Sequence, residues 1–272
     1  MGRVLMTGAA GQVGSMLRPR LARPGRTLRL LDVAPVEGVG EGEESVTASV
    51  TDLAAMVDAC AGVDAVVHLG GVPTEAPWDV IAEVNVGGTA NVFEAARRQR
   101  VGRVVFASSN HAVGFHPRSA SPAPDDLCPA PDTYYGVGKA AGEAMGALHH
   151  HRYGMDVVCL RILTCTERPS DLRSLSTWLS PDDAGRLFEA ALTAPSPGLR
   201  VVWGVSANTR GWFSLDGARS LGYEPADDAE RFAPELVARF GEPDPGAVEH
   251  RFVGGPFCSP AFDADRLGLS RP

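Results

Sequence analysis

Residues 3–32 restrict the possible folds more tightly than any other stretch of the chain. Arg3–Thr7 is a short apolar run with strand character, and glycine follows at positions 8, 11 and 14. An amphipathic segment, Gly11–Leu21, comes next, and a second strand-like run, Thr27–Leu31, closes on Asp32. Strand, glycine turn, helix and strand in that order describe a right-handed βαβ crossover, which joins parallel strands. The alternation then continues. Val46–Val50 reads as a third strand, followed by a helix that Asp52 caps. Ala65–Leu69 is almost wholly apolar, as a central parallel strand covered on both faces must be. Trp78–Arg100 is helical, and Val104–Ala107 and Val157–Ile162 are two further buried strands separated by a helix from about Tyr134 to Tyr153. The expected class is α/β, with a doubly wound parallel sheet.

After Thr164 the alternation weakens. Asp182–Leu192, Leu215–Leu221 and Phe232–Phe240 read as helices and Leu199–Trp203 as a strand, while the tail Gly254–Pro272 is rich in glycine and proline. We expect a core over residues 1–163 and a small C-terminal lobe over 164–272 that covers the substrate and does not fold alone. Five prolines between Pro117 and Pro131 make that stretch an irregular loop. His149-His150-His151 point in different directions on a helix, so solvated side chains are expected there and no metal site.

Acidic residues outnumber Lys and Arg 33 to 25, a formal charge of −8, which argues against a nucleic-acid partner. No apolar run approaches the roughly 20 residues that span a bilayer, and the N-terminus does not read as a signal peptide. Cys60, Cys128, Cys159, Cys165 and Cys258 are scattered without a C-x-x-C pair, the pattern of reduced thiols in a cytoplasmic protein.

Two constellations carry chemistry. In Gly8-Ala9-Ala10-Gly11-Gln12-Val13-Gly14, glycine lets the backbone approach a pyrophosphate, whose charge meets free N–H groups at a helix N-terminus. Asp32 lies 18 residues past Gly14, where a carboxylate accepts the hydroxyls of an adenosine ribose. The same acid repels a 2′-phosphate, and Val33-Ala34 supplies no arginine, so the cofactor expected is NAD rather than NADP. The second constellation is Tyr135-Gly136-Val137-Gly138-Lys139, which sets a phenol and an ammonium on one helix face. The Lys139 ammonium, together with the positive nicotinamide of the oxidised cofactor, favours the phenolate and can lower the tyrosine pKa from its usual ~10. Ser108-Ser109-Asn110-His111 stands at the C-terminal end of a strand, where open α/β sheets bind ligands. Gly136, Gly138, Gly142 and Gly146 each cost about 1 kcal/mol against alanine in a helix, so something approaches closely, either the sheet or another subunit.

The glycine turn, Asp32, Val66-Val67-His68-Leu69-Gly70-Gly71, Asn85-Val86-Gly87-Gly88-Thr89, Ser108-Ser109 and Tyr135-x-x-x-Lys139 together resemble the extended short-chain dehydrogenase/reductase family. The resemblance covers about the first 165 residues and implies a Rossmann-type fold with Ser109, Tyr135 and Lys139 as the catalytic group. It also implies a cofactor site made of Gly8, Gly11, Gln12, Val13, Gly14, Asp32, Ser49, Val50, Leu69, Gly70, Gly71, Asn85, Tyr135, Lys139, Ile162 and Thr164.

Within that family, Phe106–His111, Arg161–Thr166, Arg173–Trp178 and Val202–Asn208 look like the bacterial uronate dehydrogenases, nearly end to end. That likeness implies NAD-dependent oxidation of glucuronate or galacturonate at the anomeric carbon to an aldarolactone, by a homo-oligomer. Pro73, Ser109, Asn110, His111, Tyr135 and Arg173 would hold the sugar acid, with Arg173 on its carboxylate. The chain departs from the pattern at three places: Ser49-Val50 replaces Asp-Leu near the adenine, Pro73 a serine, and Leu163-Thr164 a Gly-Ser. Other readings of single residues are a surface charge or ion pair to Asp171 or Asp183 for Arg173, a satisfied strand-end side chain for His111, and packing rather than sugar stacking for Trp178, Trp203 and Trp212. Rival functions are a nucleotide-sugar epimerase or dehydratase, and a non-catalytic NAD-binding protein.

Overall fold

The computed structural model describes residues 2–119 and 122–262; the last ten residues of the Gly- and Pro-rich tail lie outside the described residues. Seven strands, β1 (Arg3–Thr7), β2 (Thr27–Asp32), β3 (Glu43–Thr47), β4 (Ala65–His68), β5 (Arg103–Ser109), β6 (Asp156–Ile162) and β9 (Leu199–Gly204), form one sheet in the order β3-β2-β1-β4-β5-β6-β9. Every pairing in it is parallel. The order reverses between β1 and β4, and that crevice is where doubly wound sheets take their ligands. Two short strands, β7 (Thr164–Cys165) and β8 (Trp178–Leu179), pair apart from it.

Alternation along each strand divides the core into two layers. Val4 and Met6 of β1 and Val158 and Leu160 of β6 face one side with α1 (Gln12–Leu21) and α7 (Pro181–Thr193). Leu5, Val157 and Cys159 face the other, under α2 (Leu53–Ala59), α4 (Gly88–Arg98) and α5 (Tyr134–Tyr153). Both sets are fully buried, as strands covered on two sides require. Residues after 163 therefore contribute an edge strand and a layer helix as well as cover. The short helix α6 (Ser174–Thr177) precedes α7, and further on lie α8 (Asp216–Ser220), α9 (Ala233–Phe240) and α10 (Val248–Arg251).

Three local expectations change. The third strand is Glu43–Thr47 rather than Val46–Val50, because the chain turns after Thr47 to bury Val50 against Gly70 and Gly88. The run expected as one helix over Trp78–Arg100 comprises α3 (Trp78–Val80), a π-helical stretch Ile81–Gly87 and α4. The wide turn directs the buried Asn85 amide onto the backbone of Val72, accepting from its N–H at 2.8 Å and donating to its C=O at 3.0 Å. His149 is buried rather than solvated; its Nδ1 meets Met145 O at 2.8 Å and its ring stacks on Phe93.

The proline-rich loop is irregular and firmly held. Arg161 of β6 donates to Asp125 O and Leu127 O, both at 3.1 Å, and pairs with Glu143 of α5, which also accepts from Ser108 Oγ at 2.6 Å. The glycine-rich side of α5 is covered within the chain, Gly142 by Phe106 and Gly146 by Val157. Among the described residues no helix is long and apolar enough to cross a membrane. Trp178, Trp203 and Trp212 are all buried in packing, the first two with their indole N–H on Thr166 O and Ala123 O.

Candidate active site

Gly8, Asp32, Leu69 and Ser109 follow or end β1, β2, β4 and β5 at the C-terminal edge of the sheet. Between β1 and α1 the chain lies bare against its neighbours. A Cβ on Gly14 would stand 2.4 Å from Gly8 O, and one on Gly8, whose φ is +71°, 2.8 Å from Gly70 N. No side chain caps α1 at Gly11, so the N–H groups of Gln12, Val13 and Gly14 remain for an anion. Asp32 is fixed at the end of β2 by N–H bonds from Ala10 at 3.0 Å and Ala34 at 3.1 Å. Narrow backbone approach, uncapped helix and strand-end carboxylate together fit a dinucleotide.

The remaining cofactor candidates surround this turn unevenly. Val50 packs against Gly70, and Gly70 N–H donates to Thr7 Oγ1 at 3.1 Å. Leu69 and Gly71 flank Gly70 directly after β4, and Ile162 ends β6. Gln12 reaches across to Cys165 O at 3.2 Å. Ser49 turns to Thr51, and Thr164 Oγ1 meets Thr177 Oγ1 at 2.8 Å. The amide of Asn85 is engaged by Val72, so its contribution is to set the turn that precedes the exposed Pro73.

Ser109 ends β5, and a 3-10 turn, Asn110–Val113, carries Asn110 and His111 onward. Tyr135 and Lys139 descend from α5, whose start is capped twice: Thr133 Oγ1 accepts from Gly136 N–H, and Glu75 accepts from Tyr134 N–H at 3.1 Å and Tyr135 N–H at 2.7 Å. Lys139 Nζ donates to Ala107 O at 2.7 Å and lies 5.5 Å from the centroid of the Tyr135 ring. Without the cofactor's charge, the protein alone moves the phenol the other way. Burial pushes the Tyr135 phenol up to about 12, with the Ser109 hydroxyl working against the rise and the Asp132 charge adding to it. Burial also brings the Lys139 ammonium down to about 8. One N–H of the Lys139 ammonium goes to the Ala107 carbonyl and two remain, while burial is the largest influence on the phenol.

Arg173 is neither a surface charge nor an ion pair to Asp171 or Asp183. Its guanidinium donates to Glu249 O at 2.8 Å and Val253 O at 2.6 Å, and Val253 O also accepts from Asn110 Nδ2 at 2.9 Å. That shared carbonyl brings Arg173 beside the Ser109–His111 turn, 62 residues away along the chain. Burial lowers the guanidinium to about 10, which leaves it charged at neutral pH. His111 Nδ1 meets Asp132 Oδ2 at 2.8 Å, and its ring stacks on Phe257 at 4.0 Å. Glu75, Asp132, Phe257 and the Val253 carbonyl were not anticipated from the sequence. Only Asp132 had a local signal, an acid followed by threonine just before a helix.

A model of the NAD dependent epimerase/dehydratase family matches residues 4–166. A uronate dehydrogenase of Agrobacterium fabrum is 42% identical over 264 residues, spanning 96% of this chain and 99% of that protein. The crystal structure of uronate dehydrogenase from Agrobacterium tumefaciens superposes with a TM-score of 0.89 at 41% identity, covering 95% of this chain and 97% of that one. A mutant of that enzyme complexed with NAD gives the same TM-score, identity and coverage. The chain belongs to the NAD-dependent epimerase/dehydratase family and, within it, to the uronate dehydrogenases.

Proposed function

We propose that this enzyme oxidises a hexuronic acid, glucuronate or galacturonate, at its anomeric carbon with NAD, releasing the aldarolactone. One observation carries the reading: Ser109, Tyr135 and Lys139 stand together at the end of β5, with Arg173 and Asn110 joined next to them on one carbonyl. Ser109 hydrogen-bonds the reacting oxygen, and Tyr135 takes the anomeric hydroxyl proton as C1 gives up its hydride. Bound NAD supplies the hydride acceptor and a positive charge that favours the phenolate over its buried neutral form. Lys139 holds the ribose and the developing phenolate. Arg173 retains N–H capacity beyond its carbonyl partners and grips the uronate carboxylate. Asp32 supports NAD rather than NADP through like-charge repulsion of a 2′-phosphate. We also propose a cytoplasmic homo-oligomer, for which family likeness is the support now that the α5 glycines are covered within the chain.

The test follows NADH absorbance with NAD and a panel of uronates, neutral hexoses and nucleotide sugars. Net NADH with free uronates is expected. Tyr135→Phe is expected to abolish turnover and retain NAD binding, and Arg173→Ala to raise KM for uronates more than for neutral hexoses. Turnover in Tyr135→Phe, or an equal loss on both sugar classes in Arg173→Ala, would overturn these assignments. Nucleotide-sugar conversion without net NADH would establish the epimerase instead.

A further inference from the structure

Asp132 ends the proline-rich loop three residues before Tyr135, and its side chain has no solvent exposure (0%). Space has been cleared for it: a Cβ on Gly114 or Gly254 would stand 1.9 or 1.8 Å from Oδ2. Its oxygens are surrounded by donors. Thr133 Oγ1 donates to Oδ1 at 3.0 Å, and the Cys258 thiol, whose nearer acceptor is Gly114 O at 3.2 Å, lies 3.8 Å from Oδ2. Burial pushes that thiol up to about 12, so it keeps its hydrogen. The remaining partner of Oδ2 is His111 Nδ1 at 2.8 Å. A carboxylate accepts and does not donate, so in the neutral ring Nδ1 carries the hydrogen and Nε2 is a bare acceptor.

His111 Nε2 has no hydrogen-bond partner among the described residues. The ring keeps 14% exposure, lies edge-on to Tyr135 at 5.8 Å between centroids, and is clamped on its face by Phe257. We propose that Asp132 is a positioning residue: by holding His111 in the Nδ1–H form it presents Nε2 as an acceptor to a hydroxyl of the sugar acid bound beside Tyr135. An acceptor at that point repels a carboxylate and welcomes a hydroxyl. It therefore helps decide which end of the sugar faces the phenol, leaving the carboxylate to Arg173. The identity of the ligand rests on the uronate reading above; the tautomer does not.

The experiment combines imidazole 15N NMR with kinetics. Spectra of the unliganded wild-type protein, with neutral His111, are expected to show hydrogen on Nδ1; hydrogen on Nε2 would overturn the proposal without any variant being made. Asp132→Asn keeps the size and offers an amide N–H, which favours the opposite tautomer. It is expected to move the hydrogen to Nε2 and raise KM for uronate on the order of tenfold or more, with the Kd for NAD within about twofold. In a His111→Gln background the same substitution is expected to add less than about twofold to the loss in kcat/KM. Multiplicative losses in the double variant would make Asp132 merely structural. Failure of the wild-type protein to oxidise any uronate would remove the functional reading, while the tautomer spectrum would still decide the role of Asp132.

Discussion

Gly142→Ala sets helix propensity against the space beneath α5. In an exposed helix the change would stabilise by about 1 kcal/mol. Here the new Cβ would lie 2.3 Å from Phe106 Cζ and 2.5 Å from Cε1, where ordinary contact begins at 3.4 Å. About 1 Å must be found. The Phe106 ring has little room to yield, with the rings of Phe93 and His68 at 6.5 and 5.6 Å and Lys139 Nζ at 5.2 Å from its centroid. Overpacking of this kind costs about 1–3 kcal/mol, so the net change is a loss of about 0–2 kcal/mol. In a chain of this size that lowers Tm by a few degrees. Activity is expected to suffer more. Lifting α5 carries Tyr135 and Lys139 away from Ser109, and a misplacement of about 1 Å can cost roughly a hundredfold in rate. Thermal unfolding and initial rates of NADH formation read the two effects separately. Gly102→Ala, whose Cβ meets nothing within 4 Å, is the control. A raised Tm with unchanged kcat in Gly142→Ala would refute the packing argument.

Two further predictions concern the buried charges and their protons. His68 lies between Thr7 Oγ1 at 2.8 Å and Thr89 Oγ1 at 3.0 Å, and burial, aided by the Lys139 charge, lowers it to about 3. The unfolded chain binds that proton near 6.5, so the contribution is complete above pH 6.5 and is lost as pH falls toward 3, by up to about 1.4 kcal/mol per unit. His68→Gln is expected to move the acid-unfolding midpoint lower, and an unmoved midpoint would refute this. Arg161→Met leaves Glu143 buried without its cation and releases the carbonyls of Asp125 and Leu127. It is expected to cost about 3–5 kcal/mol in urea unfolding; a loss under about 1 kcal/mol would count against the anchoring role.

What could be read along the chain was whatever depends on neighbours in sequence. Strand runs, helix periodicity and turn glycines are local, and so are the i, i+4 pair of Tyr135 and Lys139 and the placement of Asp32 and Ser109 at strand ends. They set the class of fold and pointed to the candidate site residues before any coordinates. Packing decided the rest. Arg173 meets Glu249 and Val253, and His111 meets Asp132, because segments far apart along the chain converge. Asn85 turns to Val72 because one helical turn widens. The direction of the Tyr135 shift is also tertiary: spacing supplies a cation four residues away, but only the surrounding chain determines how much water is excluded from the phenol, and here that exclusion is the larger effect.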